Sequence, residues 1–264
     1  MDTGTPKMIA RKAGHVGWMT FNQPAKFNAV SYDMWVAIPN IIQAFEADPE
    51  VRVIVLTGAG DKAFVSGADI SEFEAKRGSA GAIEVYNKAG DAAHAAIEAA
   101  TKPTIAMIRG ICIGGGLGIA LTTDLRIASD NSVFAVPAAR LGLGYGYTGI
   151  KRLADVVGPS FAKEIFFTAR KFSADEAAAM GLVNRVVPPA DLQGLVENYA
   201  ASIGANAPLT VAAAKMAINA TVQDPDRRQL DRVAAAVDGC FKSEDYKEGR
   251  TAFMEKRKPA FRGK

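Results

Sequence analysis

Lys102-Pro103-Thr104-Ile105-Ala106-Met107-Ile108-Arg109-Gly110-Ile111-Cys112-Ile113-Gly114-Gly115-Gly116-Leu117-Gly118 is the stretch on which the fold turns. Pro103 stops the helix before it, because its ring clashes with a preceding turn and it has no N–H to donate. Thr104 to Ile108 is short, apolar and rich in β-branched residues, which reads as a buried strand. The glycines from Gly114 lead from a Gly-rich turn into a short helix. On the N-terminal side, Ala80 to about Ala100 carries Tyr86, Ala89, Ala93 and Ile97 at helical spacing, and Val51 to Thr57 is another buried strand. Further out, Met8 to Arg11 and Val16 to Phe21 flank a glycine turn as a hairpin, and Ser31 opens a helix to about Ala47, with Pro39 expected to kink or interrupt it. On the C-terminal side, Leu125 to Ala128 and Val183 to Val187 read as strands. Beyond Pro188 every signal is helical: Pro208 starts one helix, Asp224-Pro225 the next, and Ser243 the last. The alternation predicts an α/β layered core followed by a helical C-terminal segment.

Composition narrows the chemistry. The chain has 264 residues, 49% hydrophobic and 22% charged, with a net charge of +3. Seven basic and three acidic residues place +4 between Asp245 and Lys264, leaving −1 for the other 244. A near-neutral body argues against a nucleic-acid surface, which needs many distributed phosphate contacts. The longest uncharged stretch, Gly110 to Thr123, is too short and glycine-rich to span a membrane, and the N-terminus has no basic region followed by an apolar run. Two cysteines, Cys112 and Cys240, cannot form a disulfide framework or a thiolate metal site, and a reducing cytoplasm fits them. Two histidines are too few for most zinc hydrolases. His15 sits in a hairpin turn. His94 falls on the polar stripe Asn87, Asp91, His94, Glu98, an exposed helix position. Gly144-Tyr145-Gly146-Tyr147-Thr148-Gly149 matches G-x-G-x-x-G, but neither the buried strand before it nor the acidic strand end after it is present, so it is not a dinucleotide site.

Two loops carry the functional signal. Ser66-Gly67-Ala68-Asp69-Ile70 and Gly114-Gly115-Gly116 each follow a buried strand and consist mainly of small residues, which let a ligand atom approach backbone N–H groups. Two such groups converging on one oxygen form an oxyanion hole. Alone, either loop serves equally well to let helix and strand pack closely.

With Asn22-Gln23-Pro24, Asn28-Ala29, Lys102-Pro103, Asp124-Leu125, Gly181-Leu182-Val183, and Ser243 to Tyr246 through Ala252 to Pro259, these loops resemble the enoyl-CoA hydratase/isomerase (crotonase) family in collinear order over nearly the whole chain. The resemblance implies a crotonase-like spiral of repeated ββα units over 1–200 that binds acyl-CoA. It further implies a helical trimerisation segment over 201–264, and a homotrimer or dimer of trimers. By resemblance, the N–H groups of Ala68 and Gly115 hold the thioester oxygen and Ser66, Asp69 and Ile70 belong to the same pocket. Lys26, with Phe253 and Lys256 from a neighbouring subunit, meets the CoA. Phe253 and Lys256 are expected on one face of the last helix. No metal, and no cofactor beyond the CoA moiety of the substrate, is implied.

The sequence also departs from the pattern. Hydratases of this family use a glutamate two residues beyond the triple glycine and another after the proline of Phe-x-x-Pro; here those positions are Gly118 and Ala138. A positioned acid or base contributes about 10²–10⁴ in rate, so ordinary water addition is in doubt. Leu141 to Ile150 is similar to methylmalonyl-CoA decarboxylase, in which a tyrosine matching Tyr145 belongs to the active site, although that decarboxylase has histidine where this chain has Ala68. The expected activity is a lyase reaction through a thioester enolate, by decarboxylation or atypical hydration; the alternative is a catalytically silent acyl-CoA binder.

Overall fold

The computed structural model describes residues 1–69 and 80–264, with side chains of the second stretch described from residue 84. Four ββα units follow one another: β1 (Met8–Ala13), β2 (Val16–Phe21) and α1 (Tyr32–Ala47); β3 (Val53–Gly58), β4 (Ala63–Val65) and α2 (Ala80–Ala99); β5 (Thr104–Ile108), β6 (Ile111–Ile113) and α3 (Gly115–Leu121); β7 (Leu125–Ser129), β8 (Val133–Ala135) and α4 (Tyr147–Thr168). The first strands of the last three units pair in parallel in a sheet of order β1-β2-β3-β5-β7-β10, completed by β10 (Arg185–Val187). Their second strands form another sheet, β4-β6-β8-β9, closed by the antiparallel β9 (Phe172–Ser173). The first unit thus gives both of its strands to the first sheet, and each of the next three adds one strand to each sheet, which is the spiral expected of the crotonase fold. Strands β4, β6 and β8 have three residues each, too few to show a period in the sequence.

The first sheet is covered on both faces, which is why β3 is continuously apolar from Val53 to Leu56 and β5 from Ile105 to Ile108. One face packs with α1 and α2 around Phe21, Phe45, Phe64, Met34 and Ile97. The other packs Trp18, Val53, Val55, Ile105 and Ile127 against Leu192, Val196 and Ala200 of α6 (Leu192–Gly204), the helix that crosses residue 200. Between α4 and α6, α5 (Ala174–Ala179) starts with a capping box of Ser173 and Glu176. Pro39 does not interrupt α1: the helix runs unbroken through it and buries seven side chains, including Met34, Trp35, Ile38 and Phe45. Each such side chain is worth roughly 1.5–3 kcal/mol, together more than the cost of about 3 kcal/mol for an internal proline.

The remaining helices are α7 (Pro208–Val222), α8 (Leu230–Lys242) and α9 (Glu244–Met254). Asp224-Pro225 opens a 3₁₀ turn rather than a helix, and α8 begins only at Leu230. Lys215 of α7 ties this segment to the core through Asp124 at 2.8 Å, whose carboxylate also accepts from the Thr104 N–H and hydroxyl. Helix α8 buries no residue and leaves Leu230, Val237 and Phe241 exposed. Among the described residues, no helix is long and apolar enough to cross a membrane.

Gly116 fixes how closely α3 sits on the second sheet: a Cβ there would lie 2.1 Å from the Val65 carbonyl oxygen. Gly116→Ala is expected to lower stability by about 1–3 kcal/mol, read as an earlier urea midpoint with an unchanged slope.

Candidate functional site

The site is built where the ends of β4 and β6 meet α1 and α2. Beyond β4 the chain makes a single parallel bridge, Val30 with Ala68. Val30 donates to the Gly67 carbonyl at 2.8 Å and accepts from the Asp69 N–H at 2.9 Å. The groups on either side of Ala68 are thus used, and alternation along an extended chain turns the Ala68 N–H the other way. It faces α3: a Cβ on Gly115 would lie 3.6 Å from the Ala68 nitrogen, and one on Gly67 would lie 3.9 Å from the Gly115 nitrogen.

Gly115 is the first residue of α3, entered from Gly114 at φ 56°, a conformation that favours glycine. The N–H at this position has no partner within a helix. Among the described residues, neither the Ala68 nor the Gly115 N–H donates to a protein acceptor. The structure brings together the two groups that the resemblance singles out. The bridge that orients one of them rests on the Gln23 to Val30 loop, where Asn28, fully buried at φ 55°, donates to the carbonyls of Ala59 (3.0 Å) and Ala63 (2.8 Å).

Beside Gly115 stands Trp35, whose Cζ2 would be 3.6 Å from a Cβ on that residue. The indole N–H donates to the Tyr86 hydroxyl at 3.0 Å. Against the indole lies His94, edge to face, with ring centroids 5.3 Å apart. This corrects the sequence reading of His94 as an exposed position. The helix turns it inward because Gly118 presents no side chain: His94 Nε2 lies 3.4 Å from where a Cβ on Gly118 would be. Nε2 is buried and has no hydrogen-bond partner among the described residues. Burial, and secondarily the positive charge of Arg152, bring its pKa down to about 4. Arg152 is held by Glu98, its Nη2 donating at 2.9 Å. His94 and Trp35 are the wall residues that the sequence reading missed; the glycine at 118 was their only signal.

Lys26 reaches the Asp69 carboxylate at 2.8 Å while staying half exposed, and Ser66 is anchored by its N–H to the Phe27 carbonyl at 3.1 Å. Ile70 lies outside the described residues. Ala138 is buried in the core at a 3₁₀ turn. Tyr145 stacks edge-on against Phe166, with centroids at 5.0 Å, and desolvation raises its phenol above the usual pKa. Tyr147, at the start of α4, is exposed. Phe253 is 82% exposed, but Lys256 is not on its helix. Helix α9 ends in a Schellman turn: the Lys256 N–H donates to the Phe253 carbonyl and the Arg257 N–H to that of Ala252, with Lys256 at φ 55°. The expected shared helix face is therefore absent. Arg257 turns back to Glu248 at 2.6 Å, so part of the basic tail is neutralised within the chain.

Repeated ββα units in two sheets, with paired loop N–H groups at the strand ends, define a crotonase-fold protein. The chain belongs to the enoyl-CoA hydratase/isomerase family, whose model matches residues 11–264. It is 40% identical over 251 residues to the short-chain-enoyl-CoA hydratase of Clostridium acetobutylicum, covering 95% of each chain. It is 38% identical to the crotonyl-CoA hydratase of Syntrophomonas wolfei over 96% of this chain and 97% of that one. An enoyl-CoA hydratase/carnithine racemase structure from Magnetospirillum magneticum superposes with a TM-score of 0.91 at 35% identity, covering 98% and 97% of the two chains. These relatives are named for hydration or racemisation, not decarboxylation.

Because the folded chain keeps His94 neutral while the unfolded chain protonates it near pH 6.5, acidification from 6.5 towards 4 removes stability, by up to about 3 kcal/mol. Nuclear magnetic resonance is expected to find the His94 ring unprotonated down to about pH 5, and His94→Gln to flatten the pH dependence of stability in that window.

Proposed function

We propose that this protein is a lyase that adds water reversibly across the double bond of a short 2-enoyl-CoA thioester. The observation that carries this reading is the pair of unsatisfied N–H groups at Ala68 and Gly115. Addition at the β carbon drives negative charge onto the thioester oxygen, and two fixed donors stabilise that charge more than they stabilise the ground-state carbonyl. The names of the relatives above favour hydration among the enolate reactions. Lys26 at the pocket, with Phe253 and Lys256 of an adjacent subunit, would bind the phosphates and adenine of CoA. The exposed apolar residues of α8 and α9 fit burial in a homotrimer or dimer of trimers. The unpaired cysteines Cys112 and Cys240 fit a cytoplasmic location.

A second reading is decarboxylation of a malonyl-type CoA ester. The glycine and alanine at 118 and 138 favour it, since departing CO2 leaves the enolate with no base required, and the Tyr145 phenol, protonated at neutral pH like any tyrosine, could return a proton. Incubation with crotonyl-CoA and with methylmalonyl-CoA separates the two: loss of the enoyl absorbance supports hydration, and release of CO2 supports decarboxylation. Binding of both esters without turnover of either would contradict both and leave a silent acyl-CoA binder.

Gly115→Pro deletes one donor at a helix position that suits proline. It is expected to lower kcat about 10²–10³-fold while the protein stays folded. Lys256→Gly relieves the left-handed backbone, adding about 1 kcal/mol of stability, yet is expected to raise KM for CoA esters, with the loss shrinking as salt is added. Sedimentation equilibrium is expected to find three or six chains per particle; a monomer would contradict the intersubunit CoA site.

A further inference from the structure

We propose that His94 is the acid–base group of the reaction, its Nε2 taking the proton of the attacking water and returning it to the substrate. The inference rests on the hydration reading above. A histidine buried against a tryptophan ordinarily satisfies both ring nitrogens or stays at the surface. Here Nε2 is buried, has no partner among the described residues, and faces the bare backbone of Gly118. Gly118 lies three residues beyond Gly115 on α3, so the two positions are neighbours on one helix face, about 5–6 Å apart at Cβ. Trp35 bridges the same distance, touching Gly115 on one side and His94 on the other. The nitrogen therefore stands one helical turn from the N–H pair that would hold the thioester oxygen, a spacing that suits the carbons next to that carbonyl.

The groups around the ring set its state. Helix α3 carries no ionisable side chain, α1 contributes the uncharged Trp35, α4 contributes Arg152, and His94's own helix contributes Glu98, which pairs with Arg152. His94 is thus a neutral imidazole at physiological pH. Its lowered basicity, near pKa 4, is that of an ordinary glutamate, so it can accept and release a proton with the driving force of a carboxylate.

The step balances. In the tautomer with hydrogen on Nδ1, Nε2 accepts one proton of the water as the water oxygen bonds to the β carbon, and the double-bond pair moves through the α carbon onto the thioester oxygen. The enolate then collapses, its α carbon taking the proton from Nε2 and the carbonyl re-forming. Water is added and the imidazole is restored.

The test compares wild type, His94→Gln, and the double variant His94→Ala/Gly118→Glu on crotonyl-CoA, with acetyl-CoA binding measured alongside. Glutamine keeps polar bulk at the wall but cannot shuttle a proton, and the double variant opens the space and supplies a carboxylate from α3. His94→Gln is expected to lower kcat about 10²-fold or more with acetyl-CoA affinity within about threefold, and the double variant to regain at least tenfold over His94→Gln. If wild type hydrates crotonyl-CoA and His94→Gln does so with kcat within about threefold, the role of His94 is overturned while the hydratase reading stands. If His94→Gln also loses acetyl-CoA binding, the double variant decides: recovery of turnover sustains the proposal and its absence overturns it. If wild type hydrates no enoyl-CoA, the hydratase reading fails and this proposal fails with it.

Discussion

The two-bond bridge between Val30 and Ala68 is the constraint on which the site depends. It uses the Gly67 carbonyl and the Asp69 N–H, and by strand alternation it aims the Ala68 N–H at α3. A backbone donor held this way costs no reorganisation when charge appears before it, the property that makes preorganised donors effective. The second donor is held as firmly, because Gly116 lets α3 rest against the Val65 carbonyl and so fixes Gly115 beside the bridge. Both donors belong to main chain at the ends of paired strands, so the two-sheet spiral, and not any single side chain, sets their geometry.

Around that pair the wall is buried and aromatic. Trp35 is 3% exposed and locked to Tyr86, and His94 packs on its face. Low polarity strengthens hydrogen bonds at the donor pair and depresses the basicity of the imidazole. The same burial that makes His94 costly to protonate makes it comparable in basicity to the carboxylate that the resemblance would place at 118. A side chain at 118 and an imidazole at 94 would compete for one volume, and glycine resolves that competition in favour of the imidazole.

Much of this was legible in the sequence because it lies in regular elements. The strands Thr104–Ile108 and Leu125–Ser129, the hairpin, and the start of α3 at the triple glycine were each carried by apolar runs or glycine positions. The second sheet was not, because three-residue strands carry no period. Pro39 misled because the local cost of proline is visible in sequence, whereas the burial that outweighs it is not. His94 misled for a related reason. Its polar stripe suggested solvent, but Asn87 and Asp91 face outward while His94 turns into a hollow left by a glycine on a different helix. Lys256 looked helical by spacing alone; the turn that ends α9 two residues earlier is a hydrogen-bond pattern that spacing does not encode.

The measurement that tests the central claim most directly is the infrared carbonyl stretch of crotonyl-CoA, labelled with ¹³C at the thioester carbon and bound to the protein. Two N–H groups donating to that oxygen polarise the bond. The stretch should therefore move to lower wavenumber on binding to wild type, and move back most of the way in Gly115→Pro. A bound thioester whose stretch matches that of free crotonyl-CoA in wild type would contradict the account.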